Sequence, residues 1–452
     1  MKHKVIFKNK KFRPFSNVRK APIFLAAKQV CLTLQKSGYD AYIVGGAVRD
    51  LLLNPNKIPK DIDIATSAKP EEVRNLFKNS IFVGQTFGVC LINLMGQHFE
   101  VTSFRKEGRY LDKRRPENIQ LGTFKDDSNR RDFTINSIYF NPLQQFIIDP
   151  HLGMIDLKQK LIRCVGSAED RLQEDALRIL RMIRFAANLN FTLDIVSLTA
   201  ARNHSAGLLE LSKERIILEF QKVKRGKFYI FCEHLENIID LTEIIFPNGS
   251  YKFSKYNLHS KNQLAISKLK LDTHLPFFNL LKFFLFKNRV NKESFSNILT
   301  AIDQWPITSE DKKICSLFLK CIFFKELYSK EIDIELYDFL FYELITQIDL
   351  ISKQSSRIIL ITLSVFINDN LLKETLYKMI DGISKSNITS IKSNDVVLLV
   401  ENSQLDKKYI SVIIKYIQYI YIKKGQAPKL ENLLQFKADL FKEYFAIGNI
   451  NV

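Results

Sequence analysis

The sequence predicts an α+β protein, a mixed head followed by helices alone. Three observations lead to this. From Tyr42 to Pro150 short apolar runs alternate with period two or break at glycine, as strands do. Beyond Leu161 apolar residues recur at helical spacing and glycine becomes sparse. At 452 residues the chain exceeds one core, giving a prior of two to four domains, and at 46% hydrophobic and 25% charged it is globular rather than disordered.

The elements follow in order. The first 39 residues contain no Asp or Glu and many Lys and Arg, then enter an amphipathic run from Ile23 to Leu34. They read as a basic arm and a first helix, with an organellar targeting peptide as the alternative. Tyr42-Ile-Val, Gly45-Gly46 and Ala47 to Leu53 spell strand, tight turn and helix. Pro70-Glu-Glu opens a helix carrying Val73, Leu76 and Phe77. Phe82 to Leu94 and His98 to Phe104 alternate like two strands around Met95-Gly-Gln97, and Phe146-Ile-Ile reads as a last edge strand. An apolar run after Asp132 predicts a helix ending near Tyr139. Glu169 to Asn188 is expected as one long helix with Ala176, Leu177, Leu180, Ile183 and Ala187 inward, and Leu211 to Lys222 as another with Ser212 at its N-cap.

Two stretches carry chemistry. Exposed amides on the Gly45-Gly46 turn, at the positive end of a helix dipole and beside Arg49, suit a triphosphate. Asp61 and Asp63, two apart on a strand, share one face while Ile62 and Ile64 take the other. Such carboxylates repel unless a cation lies between them, so a hard divalent ion is the natural partner. Asp-x-Asp or Gly-Gly alone is usually a turn; the two in this order, joined by a helix, point to a site. Glu100 on a neighbouring strand is a candidate third metal ligand, with a carboxylate on an exposed strand face as the equal alternative.

Lys106 to Pro116 is basic and interrupted by Gly108 and Pro116, so it reads as a mobile loop, either merely solvated or closing over a nucleotide. Arg130 and Arg131 suit phosphate. Asp132 and Asn136, four apart, would share a helix face and reach a ribose hydroxyl, capping by Asp132 being the competing account. Asp175 and Arg178 would be neighbours on the long helix. That pair is an ordinary ion pair or a base reader: a carboxylate accepts an exocyclic amine and a guanidinium donates to the adjacent acceptor, which admits C and A and rejects U and G.

The balance of 67 basic to 48 acidic residues, +19 with a pI near 9.4, makes a polyanion a plausible partner without choosing among nucleic acid and membrane surface. Six cysteines without a C-x-x-C pair argue against structural zinc and for reduced core thiols in the cytoplasm. No apolar run reaches transmembrane length, so no membrane is expected. No His-Asp dipeptide occurs, which leaves a phosphohydrolase module of that type unsupported.

Gly45-Gly-Ala-Val-Arg-Asp, Asp61-Ile-Asp, Glu100-Val-Thr-Ser-Phe-Arg105, Arg130-Arg-Asp-Phe-Thr-Ile-Asn, Glu174-Asp-Ala-Leu-Arg and Glu214-Arg-Ile-Ile-Leu-Glu, in that order, resemble the class II tRNA nucleotidyltransferase and bacterial poly(A) polymerase family over about residues 25 to 225. The resemblance implies a basic arm over 1–24, a polymerase-β-like nucleotidyltransferase head over 25–157, an all-α neck that reads the base over 158–226, and an all-α body and tail over 227–452 that hold RNA. By the same resemblance Asp61 and Asp63 would bind two Mg²⁺ ions. Gly45, Gly46, Arg49, Arg105, Arg131, Asp132, Asn136, Asp175, Arg178, Arg181 and Arg184 would bind substrate, and Glu214 and Arg215 would brace the neck. Arg109, Asp112, Arg114 and Arg115 fall in a segment similar to the flexible loop of enzymes that add a terminal A. Ser128 and Ser137 depart from the family pattern, which prefers Leu and Ala there. The implied activity is addition of CCA to tRNA from CTP and ATP. The alternatives are poly(A) synthesis, A-only addition and a non-catalytic RNA-binding relative; oligomeric state is left open.

Overall fold

In a computed structural model the chain forms two compact units, 1–247 and 248–452. The structure describes residue 15 and residues 18–246 except 79, 84–88 and 108–118, then 275–288, 290, 292–324, 334–351 and shorter stretches of 359–424. The loop residues Arg109, Asp112, Arg114 and Arg115, and the basic arm through residue 14, lie outside the described residues.

The first unit opens with α1 (Pro22–Lys36), which has proline in its first turn and buries Ile23, Phe24, Ala26, Ala27, Val30, Cys31 and Leu34, the three-and-four spacing of an amphipathic helix. It packs on the strand that follows. The head sheet comprises β1 (Ala41–Val44), β2 (Asp63–Thr66), β3 (Ser80–Val83), β4 (Val89–Leu94), β5 (Gln97–Ser103), β8 (Tyr139–Asn141) and β9 (Phe146–Ile148), and a separate ribbon pairs β6 (Arg105–Glu107) with β7 (Ile119–Leu121). The sheet order is β3-β4-β5-β2-β1-β8-β9, with β2 parallel to β5 and antiparallel to β1. β9 is an edge strand as its sequence predicts. Met95 and Gly96 both take positive φ, 55° and 71°, so β4 and β5 join through the mirror-type tight turn that fits strand twist. Under the sheet, Val44, Ala65, Phe104, Phe124, Tyr139 and Ile148 form a buried cluster with Tyr42 and Phe146 packed against it. Ring centroids 4.6 Å apart (Phe124 and Tyr139) and 5.8 Å apart (Phe104 and Phe124) fall in the range of favourable aromatic pairs.

Two helix expectations change. The run after Asp132 is not a helix to Tyr139: only Thr134–Asn136 makes a 3₁₀ turn, and Tyr139 starts β8. A crossing pair of backbone bonds, Thr134 N–H to the Arg163 carbonyl (3.0 Å) and Val165 N–H to the Asp132 carbonyl (3.1 Å), bridges Phe133 to Cys164 there and takes the Asp132 carbonyl that would open an α-helix. The long helix from Glu169 is two, α6 (Ala168–Glu174) and α7 (Leu177–Leu189). Asp175 between them is extended, φ −148° and ψ 103°, and its own carboxylate accepts from the Leu177 amide at 3.0 Å, the competition by which Asp stops one helix and starts the next.

The remaining elements of this unit are α2 (Gly46–Leu53), α3 (Pro70–Leu76), α4 (Phe124–Asn129), α5 (Gly153–Gln159), α8 (Ile195–Asn203), α9 (Lys213–Gln221), α10 (Phe228–Glu236) and α11 (Leu241–Ile245), with a short parallel pair β10 (Leu161–Ile162) and β11 (Thr192–Leu193). α7 is their hub, packing on α9, α10 and both short strands, so α10, beyond residue 226, belongs to the same unit.

The second unit is helical where described: Pro276–Lys287, Lys292–Gln304, Ser309–Ile322, Ile334–Ile351, Asn370–Gly382 and Tyr409–Lys424. Its core is aromatic, with Trp305 on Phe277 (4.8 Å) and Phe278 on Phe318 (4.9 Å). A buried carboxylate, Asp338, accepts hydrogen bonds from the Thr375 and Tyr419 hydroxyls, as a buried polar group requires.

Candidate active site

The turn into α2 and the carboxylate strand converge. Gly45 has φ +76°, which glycine tolerates without strain, and a Cβ there would lie 3.5 Å from Asp63 Oδ2 and 3.9 Å from Arg131 Nη1. A glycine turn, a carboxylate and a guanidinium therefore share one small space. Asp63 opens β2, opposite Val44 on β1 and Glu100 on β5. Asp61 lies just before the strand, and the alternation holds: Asp61 and Asp63 are exposed while Ile62 and Ile64 are buried.

Asp63 is reached by solvent yet crowded by protein. That crowding first, then the charges of Glu100 and Asp61, outweigh the attraction of Arg131 and push its pKa up to about 6. A carboxylate in this state gains most from a cation. Among the described residues no group of three His, Cys, Asp or Glu side chains is gathered closely enough to hold a metal unaided. The donor set fits an ion such as Mg²⁺, which takes one or two carboxylates and completes its shell with water and substrate phosphate. Asp61 and Asp63 are the carboxylates that could hold such an ion, and Glu100 stands in register with Asp63.

Arg131 is fixed from behind. Its Nε donates to the Tyr139 hydroxyl (2.8 Å), its Nη2 to Asp127 (3.1 Å), and its guanidinium lies 5.0 Å from the Tyr139 ring centroid. Asp127 is fully buried and also accepts from Arg130 (2.9 Å) and Tyr139 (2.7 Å). Burial penalises its charge, but Arg131, Arg130 and the Tyr139 hydroxyl prevail and hold its pKa below the usual range. Arg130 is thus drawn to a buried partner while Arg131 reaches the turn. Ser128 and Ser137 are joined, the Ser137 hydroxyl donating to the Ser128 carbonyl at 3.1 Å.

Asp132 and Asn136 meet without the predicted helix: Asn136 Nδ2 donates to Asp132 Oδ1 at 3.1 Å. Asp132 Oδ2 accepts from Arg181 Nε at 2.9 Å. Burial opposes charge on Asp132, but Arg181 and the bonds from Asn136 and the Phe133 amide win and hold its pKa down to about 2. Arg49 is 8% exposed; its Nη1 donates to Asn136 (2.7 Å), its Nε to Asp50 (2.7 Å), and its Nη2 would lie 3.6 Å from a Cβ on Gly46. Arg184 donates from Nε to Glu219 (2.7 Å), which also takes Lys222 at 2.9 Å.

Asp175 and Arg178 flank the helix break, each held by another residue. Arg215 donates to Asp175 (3.1 Å), and Arg178 Nη1 donates to Glu174 (2.7 Å) and to the Arg171 carbonyl (2.9 Å). Arg105 lies in the β6–β7 ribbon, opposite Leu121. Sequence reading misses Asp127, Tyr139, Phe185 and the Glu174 and Glu219 carboxylates as supports. Asp127 had a usable signal, three and four residues before Arg130 and Arg131.

A mixed sheet with this turn and carboxylate strand is the head of a nucleotidyltransferase, and residues 41–163 match the family described as the poly A polymerase head domain. The chain is 37% identical over 318 residues to a CCA-adding enzyme of Oceanobacillus iheyensis, covering 66% of this chain and 78% of that one. It is 43% identical over 201 residues to a CCA-adding enzyme of Streptococcus pyogenes, covering 44% of this chain and 49% of that one. At the first of these identities and coverages, the chain belongs to the CCA-adding enzyme family. The fold is similar to the Thermotoga maritima CCA-adding enzyme complexed with tRNA (TM-score 0.62, 18% identity, 94% of this chain and 96% of that chain). It is also similar to the Bacillus stearothermophilus CCA-adding enzyme in complex with CTP (TM-score 0.57, 23% identity, 93% and 99%). Among the described residues no helix is long and apolar enough to cross a membrane.

Proposed function

We propose that the chain adds CCA to tRNA 3′ ends, using CTP and ATP without a nucleic-acid template and releasing pyrophosphate. The observation that carries this is the Gly45 turn lying against Asp63, which sets a triphosphate cradle beside the carboxylate pair. The names of the relatives, CCA-adding enzymes at 37% and 43% identity, support the substrate. In the reaction the RNA 3′ hydroxyl oxygen attacks the α-phosphorus, the bond from that phosphorus to the bridging oxygen breaks, pyrophosphate departs and the hydroxyl proton passes to solvent.

Gly45, Gly46 and Arg131 cradle the triphosphate, Asp132 and Asn136 meet the sugar, and Asp175 with Arg178 read the base edge. Asp61 and Asp63 would hold two Mg²⁺ ions, which when bound neutralise phosphate charge and acidify the attacking hydroxyl. Six buried thiols, all unbridged, fit work in a reducing cytoplasm.

A tRNA transcript lacking CCA, supplied with CTP and ATP separately and together, tests the assignment on a sequencing gel. Three ordered additions are expected. An open ladder from ATP alone would instead make the protein a poly(A) polymerase, and arrest after CC or addition of A alone would make it one half of a split system. Exchange of Asp61 or Asp63 for Ala should lower turnover by about a thousandfold or more, roughly 4 kcal/mol, while RNA binding persists. Retained turnover in either variant would remove the assignment.

A further inference from the structure

Phe185 has no place in the chemistry above, yet three guanidinium groups surround its ring. Arg184 lies 4.3 Å, Arg49 5.1 Å and Arg181 5.7 Å from its centroid, and Phe133 closes it edge-on at 5.7 Å. A negative π face attracts each cation, and the cations can be close together only because each is neutralised elsewhere. Arg49 pairs with Asp50, Arg181 with Asp132, and Arg184 with Glu219. Phe185 is therefore a fixed point between α7 and α2, the helix that carries the Gly45-Gly46 turn.

Its place along α7 matters. Arg178, Arg181 and Phe185 stand at i, i+3 and i+7, the spacing of one helix face. Arg178 belongs to the base-reading pair. Arg181 grips Asp132, the sugar contact, at 2.9 Å. Phe185 touches Arg49, which is bonded to Asn136 at 2.7 Å and borders Gly46 of the phosphate turn. Seven residues of helix rise about 10 Å, comparable to a nucleotide from its base to its phosphates. One face of one helix thus references base, sugar and phosphate in turn.

We propose that Phe185 is a positioning residue that ties the triphosphate turn to the base-reading helix, so that a correctly paired base brings the α-phosphorus into line. The proposal rests on the nucleotidyltransferase reading above. It acts through Arg49, whose guanidinium is clamped between the Phe185 ring and Asn136. Loss of the π face, with an apolar side chain kept, should leave Arg49 free to shift while CTP still binds; a displacement of about 1 Å near reacting atoms is costly to rate.

The test uses the full chain and compares wild type with Phe185→Leu and Phe185→Tyr in single-nucleotide addition to a tRNA transcript. For Phe185→Leu, kcat for CTP should fall about ten- to a hundredfold with KM changed less than about threefold. The ratio of UTP to CTP incorporation should rise. Phe185→Tyr, which keeps the ring, should restore both. Phe185→Leu with wild-type kcat and selectivity overturns the proposal, as does equal impairment of Leu and Tyr variants. A fall that is entirely in KM overturns it too. Should the Leu variant melt far below wild type, the Tyr variant and Arg49→Lys decide: if both keep wild-type kcat and selectivity the coupling is absent, and if only the Tyr variant does it stands. Failure of the wild type itself to extend the RNA overturns the functional reading and the proposal with it, an outcome distinct from all of these.

Discussion

Asp132 shows how a buried charge is held by its partners. Its carboxylate is charged in the fold because Arg181, Asn136 and the Phe133 amide surround it, against the penalty of burial. A carboxyl whose pKa falls on folding, here to about 2 from an ordinary 3.8, binds fewer protons folded than unfolded. Its stabilisation is present above the unfolded value and is lost as pH drops through the folded one. Asp132→Asn should therefore destabilise the protein by about 2 kcal/mol at pH 7, and the difference from wild type should shrink between pH 4 and pH 2. Urea unfolding of the two proteins at both ends of that range measures it. At this scale the candidate residues were legible: Gly45, Asp61, Asp63, Asp132, Asp175 and Arg178 are chemically conspicuous. Phe185 and Tyr139 were not, since an aromatic on an apolar helix or strand reads as core until the guanidiniums around it are placed.

Elements went astray where side chains or a distant segment captured backbone groups. Asp175 interrupts a run whose apolar spacing is unbroken, because periodicity reports the buried face and is blind to a carboxylate that caps the Leu177 amide. The β4–β5 hairpin, by contrast, was readable, since its turn chemistry and alternation are both local. A second local constraint joins head elements: α5 begins at Gly153 against the 3₁₀ turn, and a Cβ on Gly153 would collide with the Thr134 carbonyl. Asp149 fastens the same corner, accepting from the Gly153 and Met154 amides at 2.8 Å each. Gly153→Ala should cost about 1–3 kcal/mol, because a backbone carbonyl cannot yield as a flexible side chain can. Calorimetry should record a lower Tm, and an unchanged Tm would show that α5 slides freely.

For the whole molecule the sequence conveyed the division into a mixed head and a helical remainder, since that depends on the period of apolar residues alone. It did not yield the sheet order, which depends on pairings between strands far apart in the chain. Charge is also a property of the whole: an excess of +19 favours association with a polyanion and makes it dependent on salt. Under the proposed function, RNA affinity should fall at least tenfold between 50 mM and 200 mM salt in a filter-binding titration. A flat response would mean that the basic excess is not in contact with phosphate.

β2 lies at the middle of the seven strands, with three to either side. Sheets open from their edges, where backbone groups are least protected. Fraying at β3 or at β9 must dissolve three strands before it reaches Asp63. The Asp63 carboxylate is therefore mounted on the part of the sheet farthest from either edge, and the edges can breathe without disturbing it.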